Sequence, residues 1–376
     1  MEVKEYELGQ LLSYEQPIPY IVESTKYSEK YKTPVLTAGK SFIIGYTNEE
    51  TGIYNSLPVI IFDDFTTSSQ YVNFKFKVKS SAMKILTANT DFVLPKYIFY
   101  RMQIINFDHS THKRYWIQHY SKLKVQIPTL SEQEKIIQKI EELFSELDKG
   151  VETLQTIKQQ LAVYRQAIYH TAYTNIKHKQ SITNFFEISG GLTKNSKRGE
   201  LPLKYPYLRV ANVYYNHLDL SEISEIGVTE NEVERTTLHQ DDLLFVEGNG
   251  SKSQIGRVAI WDGSIPNCLH QNHLIKGRPL GNILPKYALF YLISKEGRKQ
   301  ITDIAKSTSG LYTLSTNKIK SLTIPYCNLD EQKNIVQEIE SRLSVCDSIE
   351  QTVNTALSQA EAMRQSILKK AFEGTL

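Results

Sequence analysis

The side chains in this sequence with the most to offer chemically are hydrogen-bond donors gathered in loops. Asp108 to Trp116 reads DHSTHKRYW, setting His112, Lys113, Arg114 and Tyr115 beside His109 and Trp116. Arg and Lys donate to phosphates or guanine edges, and a neighbouring aromatic pair can stack or wedge. A solvated surface turn is the alternative. A metal site on His109 and His112 is not expected, because no ligand set is completed around them. Upstream, Phe74, Phe76 and Val78 alternate with Lys75, Lys77 and Lys79, which predicts a strand from Tyr71 to Val78 with one apolar and one basic side. The lysine row can lie along phosphates or guard a sheet edge, and both readings stand. Thr66 and Ser68 belong to the polar loop Asp63–Ser69 just before it.

Further along come Thr193 and Lys194 after a Gly-Gly pair, Asn249, Ser251 and Lys252 in Glu247–Ser253, and the stretch His270-Gln271-Asn272-His273. Thr308, Ser309 and Tyr312 stand where the first half has Ser110 to Tyr115. These glycine loops lack the terminal Gly-Lys-Ser/Thr of a phosphate-binding loop, so nucleotide hydrolysis is disfavoured. Cys268, Cys327 and Cys346 are odd in number and contain no CxxC pair, which points to neither a disulfide framework nor a zinc site.

What must position these loops is a repeat. Ile127 to Thr171 returns, altered, as Ile324 to Gly374, and Arg165-Gln-x-Ile168 reappears as Arg364-Gln-x-Ile367, 199 positions on. Gln133, Ile140, Leu147, Leu154, Leu161 and Ile168 recur every seven residues, with Ile136, Leu143, Ile157 and Tyr164 in a second row three residues later. The other copy places Gln332, Ile339, Cys346, Val353, Ala360 and Ile367 in the first row, and Ile335, Ile349, Ala356 and Met363 in the second. This is the a and d pattern of a coiled coil, broken only at Arg342 and Lys370. Each helix follows an Ile-Pro pair, with Ser131 or Asp330 available as cap, and should be about 60 Å long. The two are expected to pair antiparallel within the chain; helices packed separately into ordinary cores are the plainer alternative. Leu94-Pro95-Lys96-Tyr97 likewise returns as Leu284-Pro285-Lys286-Tyr287, so the globular parts echo each other too.

With 376 residues, 40% hydrophobic content and a net charge of +3, the composition is that of an ordinary globular protein of two or three domains. The charge permits nucleic-acid binding without demanding it. No apolar run approaches the roughly 20 residues of a membrane span, and the amino terminus lacks a signal-peptide core. A cytoplasmic location and no membrane partner are expected.

On Ile127-Pro128 through Glu132-Gln133, Ile324-Pro325 through Glu331-Gln332, and Arg364 to Gly374, the chain resembles the specificity subunits of type I restriction-modification systems along its whole length. The resemblance implies an α+β fold with a pseudo-two-fold internal repeat. Two mixed α/β target recognition domains (1–128 and 174–325) are separated by an antiparallel two-helix coiled coil (129–173 and 326–376). Each recognition domain would read one half of a bipartite, asymmetric DNA site, and the helices would set the spacer. Two modification subunits would dock on the chain, transferring a methyl group from S-adenosylmethionine, with restriction or translocase subunits in the full complex. The chain itself would be non-catalytic and bind no cofactor directly. In keeping with that, it has no Asn/Asp-Pro-Pro-Tyr/Phe motif for a flipped base, and Glu132-Gln-Glu134-Lys135 lies on a helix start without the partner Asp of a nuclease. The expected DNA contacts are Thr66, Ser68, Lys75, Lys77, Lys79, His112, Lys113, Arg114 and Tyr115 in the first half, and Thr193, Lys194, Asn249, Ser251, Lys252, Thr308, Ser309 and Tyr312 in the second. The expected helix–helix and docking positions are Ile140, Leu147, Leu154, Leu161, Ile168, Ile339, Ile349, Val353, Met363 and Ile367. A coiled-coil scaffold presenting two domains to some non-DNA ligand is the competing reading.

Overall fold

Pro128 and Pro325 close the short strands Lys124–Pro128 and Thr323–Pro325, and within a few residues the chain turns into the two longest helices, Leu130–Tyr173 and Leu329–Glu373. Proline bars the residue before it from helical geometry, so the helix starts anew beyond it. The capping residues stand earlier than Ser131 and Asp330. Thr129 accepts from the Glu132 amide at 3.4 Å, while Asn328 accepts from Glu331 N at 2.9 Å and donates its own N–H to that glutamate's carboxylate at 3.2 Å. The latter is a reciprocal capping pair that satisfies two amides at once.

The computed structural model describes residues 3–37, 41–107, 115–308 and 310–376, with Thr308 described by its backbone alone. The chain divides into two units, Met1–Gln155 with Asn354–Leu376, and Thr156–Val353. The fold is α+β, with the long helices contributing a half to each unit.

In the first unit a four-stranded antiparallel sheet runs in the order Leu12–Glu15, Met83–Ala88, Val59–Asp63, Ser69–Val72. Beside it Thr33–Leu36 pairs antiparallel with Ile43–Thr47 and parallel with Lys77–Val78. A third pair joins Val3–Glu7 to Lys124–Pro128. Leu86, Phe62 and Ile60 cover the face against Tyr97, Ile98, Trp116 and Tyr120, while Val59, Ile61 and Ile85 cover the other against Phe76 and Val78. The chain therefore does not run as one strand from Tyr71 to Val78. Ser69–Val72 and Lys77–Val78 belong to different sheets, and the crossing buries Phe76 on the Tyr54 ring with centroids 5.1 Å apart.

The second unit repeats this connectivity strand for strand, in the same chain order. Its four-stranded sheet is Phe186–Gly190, Leu274–Pro279, Leu243–Val246, Val258–Ile260. Leu203–Leu208 pairs antiparallel with Ser224–Val228 and parallel with Leu269–His270, and Lys179–Ser181 joins Thr323–Pro325. To this ground plan it adds the helix Glu230–Thr236, the helix Lys295–Ile304, and a three-stranded sheet of Gly248–Asn249, Leu311–Thr313 and Lys306–Thr308.

The long helices enter each unit in the same manner. In the first, Ile140 and Phe144 pack on Leu368 and Ala371, and Arg364 lies 4.2 Å above the Phe144 ring while ion-pairing with Asp148. In the second, Leu161 and Ile168 share a core with Val336, Ile339 and Cys346, and Arg165 binds Asp347 at 2.7 Å and Glu350 at 2.9 Å. Ascending numbers on one helix meet descending numbers on the other, so the pairing is antiparallel in both units. The seam departs from the expected one. The first heptad row is buried at Ile140, Leu161, Ile168, Ile339, Cys346, Val353 and Ala360, with Leu147, Leu154 and Ile367 half-buried. Its fully buried companions, Phe144, Val336 and Ala371, lie in the row four residues later, while the row three later is only half-buried, at Ile136, Leu143, Ile157, Ile335 and Ala356. Ile349 and Met363 are 40% and 54% exposed, so they are not seam residues. The reason is that Arg165 and Arg364, which look like solvent-facing charges in a heptad count, lay their stems into the interface and carry only their guanidinium groups to its edge.

Candidate nucleic-acid interface

The loops singled out from sequence in the second unit converge, and backbone hydrogen bonds hold them together. Leu192 N donates to His270 O at 2.8 Å and Asn272 N donates to Leu192 O at 2.9 Å, tying the loop that carries Thr193 and Lys194 to the turn His270–His273. Gly191 makes this approach possible, since a Cβ there would lie 2.2 Å from the His270 carbonyl oxygen. From the other side of that turn, Glu247 N donates to His273 O at 2.9 Å, and Leu314 N donates to Glu247 O at 2.7 Å. Asn249 then faces Tyr312 across a two-residue ladder, and Thr308 faces Leu311 in the next strand. Thr193, Lys194, Asn249, Ser251, Lys252 and Tyr312 therefore belong to one linked set of loops; Ser309 lies outside the described residues.

Glu247 is the junction of this set. Its backbone joins two loops, and its carboxylate meets His273 Nδ1 at 2.9 Å. Asn249 Oδ1 accepts from Ser251 N at 2.8 Å, which closes a tight turn and leaves Gly250, Ser251 and Lys252 exposed at its tip. Lys194, Lys252 and Lys306 are exposed around the set. Lys318 donates to Thr313 O at 2.7 Å; its pKa is lowered by burial and by the neighbouring charge of Lys306. Beneath the Thr193 loop, Arg198 donates to Thr193 O and forms a forked pair with Glu232, whose carboxyl is held down at about 2 by that arginine and by the Thr229 amide. The surface thus offers exposed ammonium groups, hydroxyls and an aromatic ring over a rigid base, which is the inventory for phosphate and base-edge contacts.

In the first unit, Thr66 and Ser68 occupy an exposed turn closed by Asp63, whose Oδ1 accepts from Phe65 N at 2.8 Å and Thr66 N at 3.2 Å. Asp64 accepts from the Tyr115 and Trp116 amides, each at 2.9 Å, which fastens the start of the helix Tyr115–Gln118 to this turn. His112, Lys113 and Arg114 lie outside the described residues. Tyr115 is not a wedge for DNA. It and Trp116 are each 1% exposed and stand in the core with Phe62, Phe107 and Tyr120, because a ring beside a polar loop is still driven inward when a core is within reach. Lys77 also leaves the proposed basic row. It is 3% exposed, its ammonium bound to Glu49 at 2.6 Å and to Thr51 O at 2.8 Å, a buried charge neutralised in place. Lys75 and Lys79 are exposed on either side of it.

Three side chains important to the second unit's loops carry no distinguishing signal in the sequence. Glu247 and His273 sat inside stretches noted for their amides and hydroxyls, with nothing to pair them. Arg298 is on a helix whose sequence gave no sign that it reaches the loop. Among the described residues there is no cluster of His, Cys, Asp and Glu fit to hold a metal ion, and no helix long and apolar enough to cross a membrane.

Comparison with known proteins bears on what such a surface serves. Residues 177–359 match the type I restriction modification DNA specificity domain. The chain is 33% identical over 370 residues to the EcoR124I/EcoR124II specificity subunit of Escherichia coli, covering 93% of this chain and 89% of that one. It is 30% identical over 268 residues to the EcoKI specificity subunit of Escherichia coli K12, covering 68% of this chain and 58% of the relative. Among solved structures, a chain from work on complex assembly and conformational transition of the type I R-M system superposes with a TM-score of 0.71 over 100% of this chain and 98% of its own, at 14% identity. The HsdS subunit from Thermoanaerobacter tengcongensis gives 0.53 over 100% and 97%, at 15% identity. At these identities the structures speak for the fold alone.

Proposed function

The chain belongs to the specificity subunits of type I restriction enzymes, and from that premise we propose that its two units each read one half of a bipartite DNA site. It is the non-catalytic subunit that gives DNA sequence specificity to a complex containing a methyltransferase. The observation that carries the two-part reading is the duplication itself. Two units share one strand order and one helix entry, yet differ in the loops laid over that frame. A repeated frame with unlike loops suits two different half-sites, so the target need not be palindromic.

In the second unit the reading surface is the linked set around Glu247, with Asn249, Ser251, Lys252 and Tyr312 toward DNA and Thr193 and Lys194 beside them. In the first it includes Thr66 and Ser68. The paired helices set the spacing between half-sites and dock two modification subunits, which bind S-adenosylmethionine; restriction or translocase subunits complete the assembly in the cytoplasm. A net charge of only +3 fits a protein whose hold on phosphates is shared with partners. A scaffold for non-DNA ligands finds no support among the relatives.

The test is DNA binding and methylation by the assembled complex, with Asn249→Ala as the probe. Specificity should relax in one half-site only, by about tenfold for single mismatches there, as expected for the loss of one base-edge contact. Loss of discrimination in both halves would count against assigning one half-site to each unit, and no loss in either would count against Asn249 as a base contact.

A further inference from the structure

The tip Gly250–Lys252 is exposed, yet the limb that follows it is anchored with unusual thoroughness for a surface loop. Arg298, on the helix Lys295–Ile304, donates to three carbonyls of that limb: Ser253 at 3.3 Å, Ile255 at 2.7 Å and Gly256 at 3.0 Å. Its guanidinium lies 4.9 Å from the centre of the Tyr215 ring, and the Tyr215 hydroxyl donates to the same Ser253 carbonyl. Gly256 seats the limb. Its φ of +62° is left-handed, and a Cβ there would fall 2.4 Å from Ile301 Cγ2 on the helix that carries Arg298. Gln254 and Ile255 close back onto the Ser251 carbonyl at 3.0 and 3.2 Å. The other limb is fixed by the Glu247 junction.

On the reading that this loop contacts DNA, we propose that Arg298 and Tyr215 are positioning residues for half-site specificity, holding the Ser251–Lys252 tip in one conformation before DNA arrives. A planar fork with several donors satisfies three diverging carbonyls at once, which a lysine ammonium, a single point of charge, does not. Base discrimination depends on donors fixed to within a fraction of an ångström, because a loose tip reaches the wrong base edge almost as readily as the right one. Arg298 touches no DNA in this account. It sets the difference in affinity between cognate and near-cognate sites.

The experiment uses the complete subunit co-expressed with its modification partners, read by single-molecule methylome sequencing. Three variants are compared: Arg298→Lys, Tyr215→Phe, and the tip variant Ser251→Ala/Lys252→Ala. Arg298→Lys should raise methylation at single-mismatch sites about tenfold in one half of the motif, Tyr215→Phe should do so in the same half to a smaller degree, and the other half should stay intact. Intact reading of that other half doubles as the control for folding and assembly. If the tip variant relaxes that half while Arg298→Lys and Tyr215→Phe leave the motif unchanged and only lower the melting temperature, the two residues are merely structural and the inference is overturned. If the tip variant too leaves the motif unchanged, the loop is not a reader, and the functional assignment of the loop falls along with it.

Discussion

Gln133 and Gln332 show how a single residue type carries two meanings. In the heptad count each takes a core position, and each is in fact fully buried, but as a polar connector. Gln133 accepts from Leu94 N at 2.8 Å and donates to Phe92 O and Pro128 O at 3.0 and 2.9 Å; Gln332 accepts from Leu284 N and donates to Cys327 O, both at 2.9 Å. Each thereby bolts the start of a long helix to the start of the short helix at Pro95 or Pro285, whose first amide would otherwise have no acceptor. Replacing Gln133 with Leu keeps the volume and removes the partner of three part-buried backbone groups. At about 1 kcal/mol or less for each, since water reaches part of this cluster, the loss in unfolding free energy should be about 1–3 kcal/mol in guanidinium titration. A change under about 0.5 kcal/mol would show that the amide is a passive filler. The repeated Gln was visible in sequence, but its partners were not, because a period of seven registers burial and is silent about hydrogen bonding. Lys77 and Tyr115 failed in the converse way, their polar neighbours making inward-pointing groups look outward-facing.

At the scale of elements, the helix pairing is the clearest lesson. Periodicity identified both helices and the first row of the seam, since Ile140, Leu161, Ile168, Ile339 and Val353 are buried as expected. It misplaced the second row, because rows three and four residues on from the first differ by only about 100° around the helix, and the arginine stems tip the balance. The two alternatives separate by mutation. Ile339, with no exposure, should cost about 2–5 kcal/mol on truncation to Ala. Ile349→Lys should fall within about 0.5 kcal/mol of the parent, since the side chain already meets solvent. Chemical denaturation of the subunit measures both. A penalty above about 2 kcal/mol for Ile349→Lys would restore the a and d seam. The ion pairs of Arg165 and Arg364 add orientation more than energy, as their carboxylate partners are largely exposed.

At the scale of the whole molecule, the sequence disclosed a duplication through its helices and the Leu-Pro-Lys-Tyr landmarks, while the matching strand order of the two units stayed hidden. Sheets demand apolar alternation and turns, which many sequences supply, so Val59–Asp63 and Leu243–Val246 hold equivalent places with little in common beyond their branched and aromatic side chains. If the helices set the distance between half-sites, that distance can be edited. Inserting one heptad after Gly150 and another after Glu361 adds seven residues to both helices beside the Arg364–Asp148 ion pair, at a glycine with open space around it. Seven residues keep the buried row in line to within about 20° and add about 10 Å. Along DNA that is about three base pairs, which also turn the far half-site by roughly a quarter of a helical turn or more. Methylation should therefore fall, and what remains should shift to sites whose spacer has lengthened while both half-site sequences stay the same. Methylome sequencing of cells carrying the extended subunit with its modification partner reads this directly. A folded, methylating variant that keeps the original spacer would mean that something other than helix length fixes the interval, and the recognition units themselves would then have to supply it.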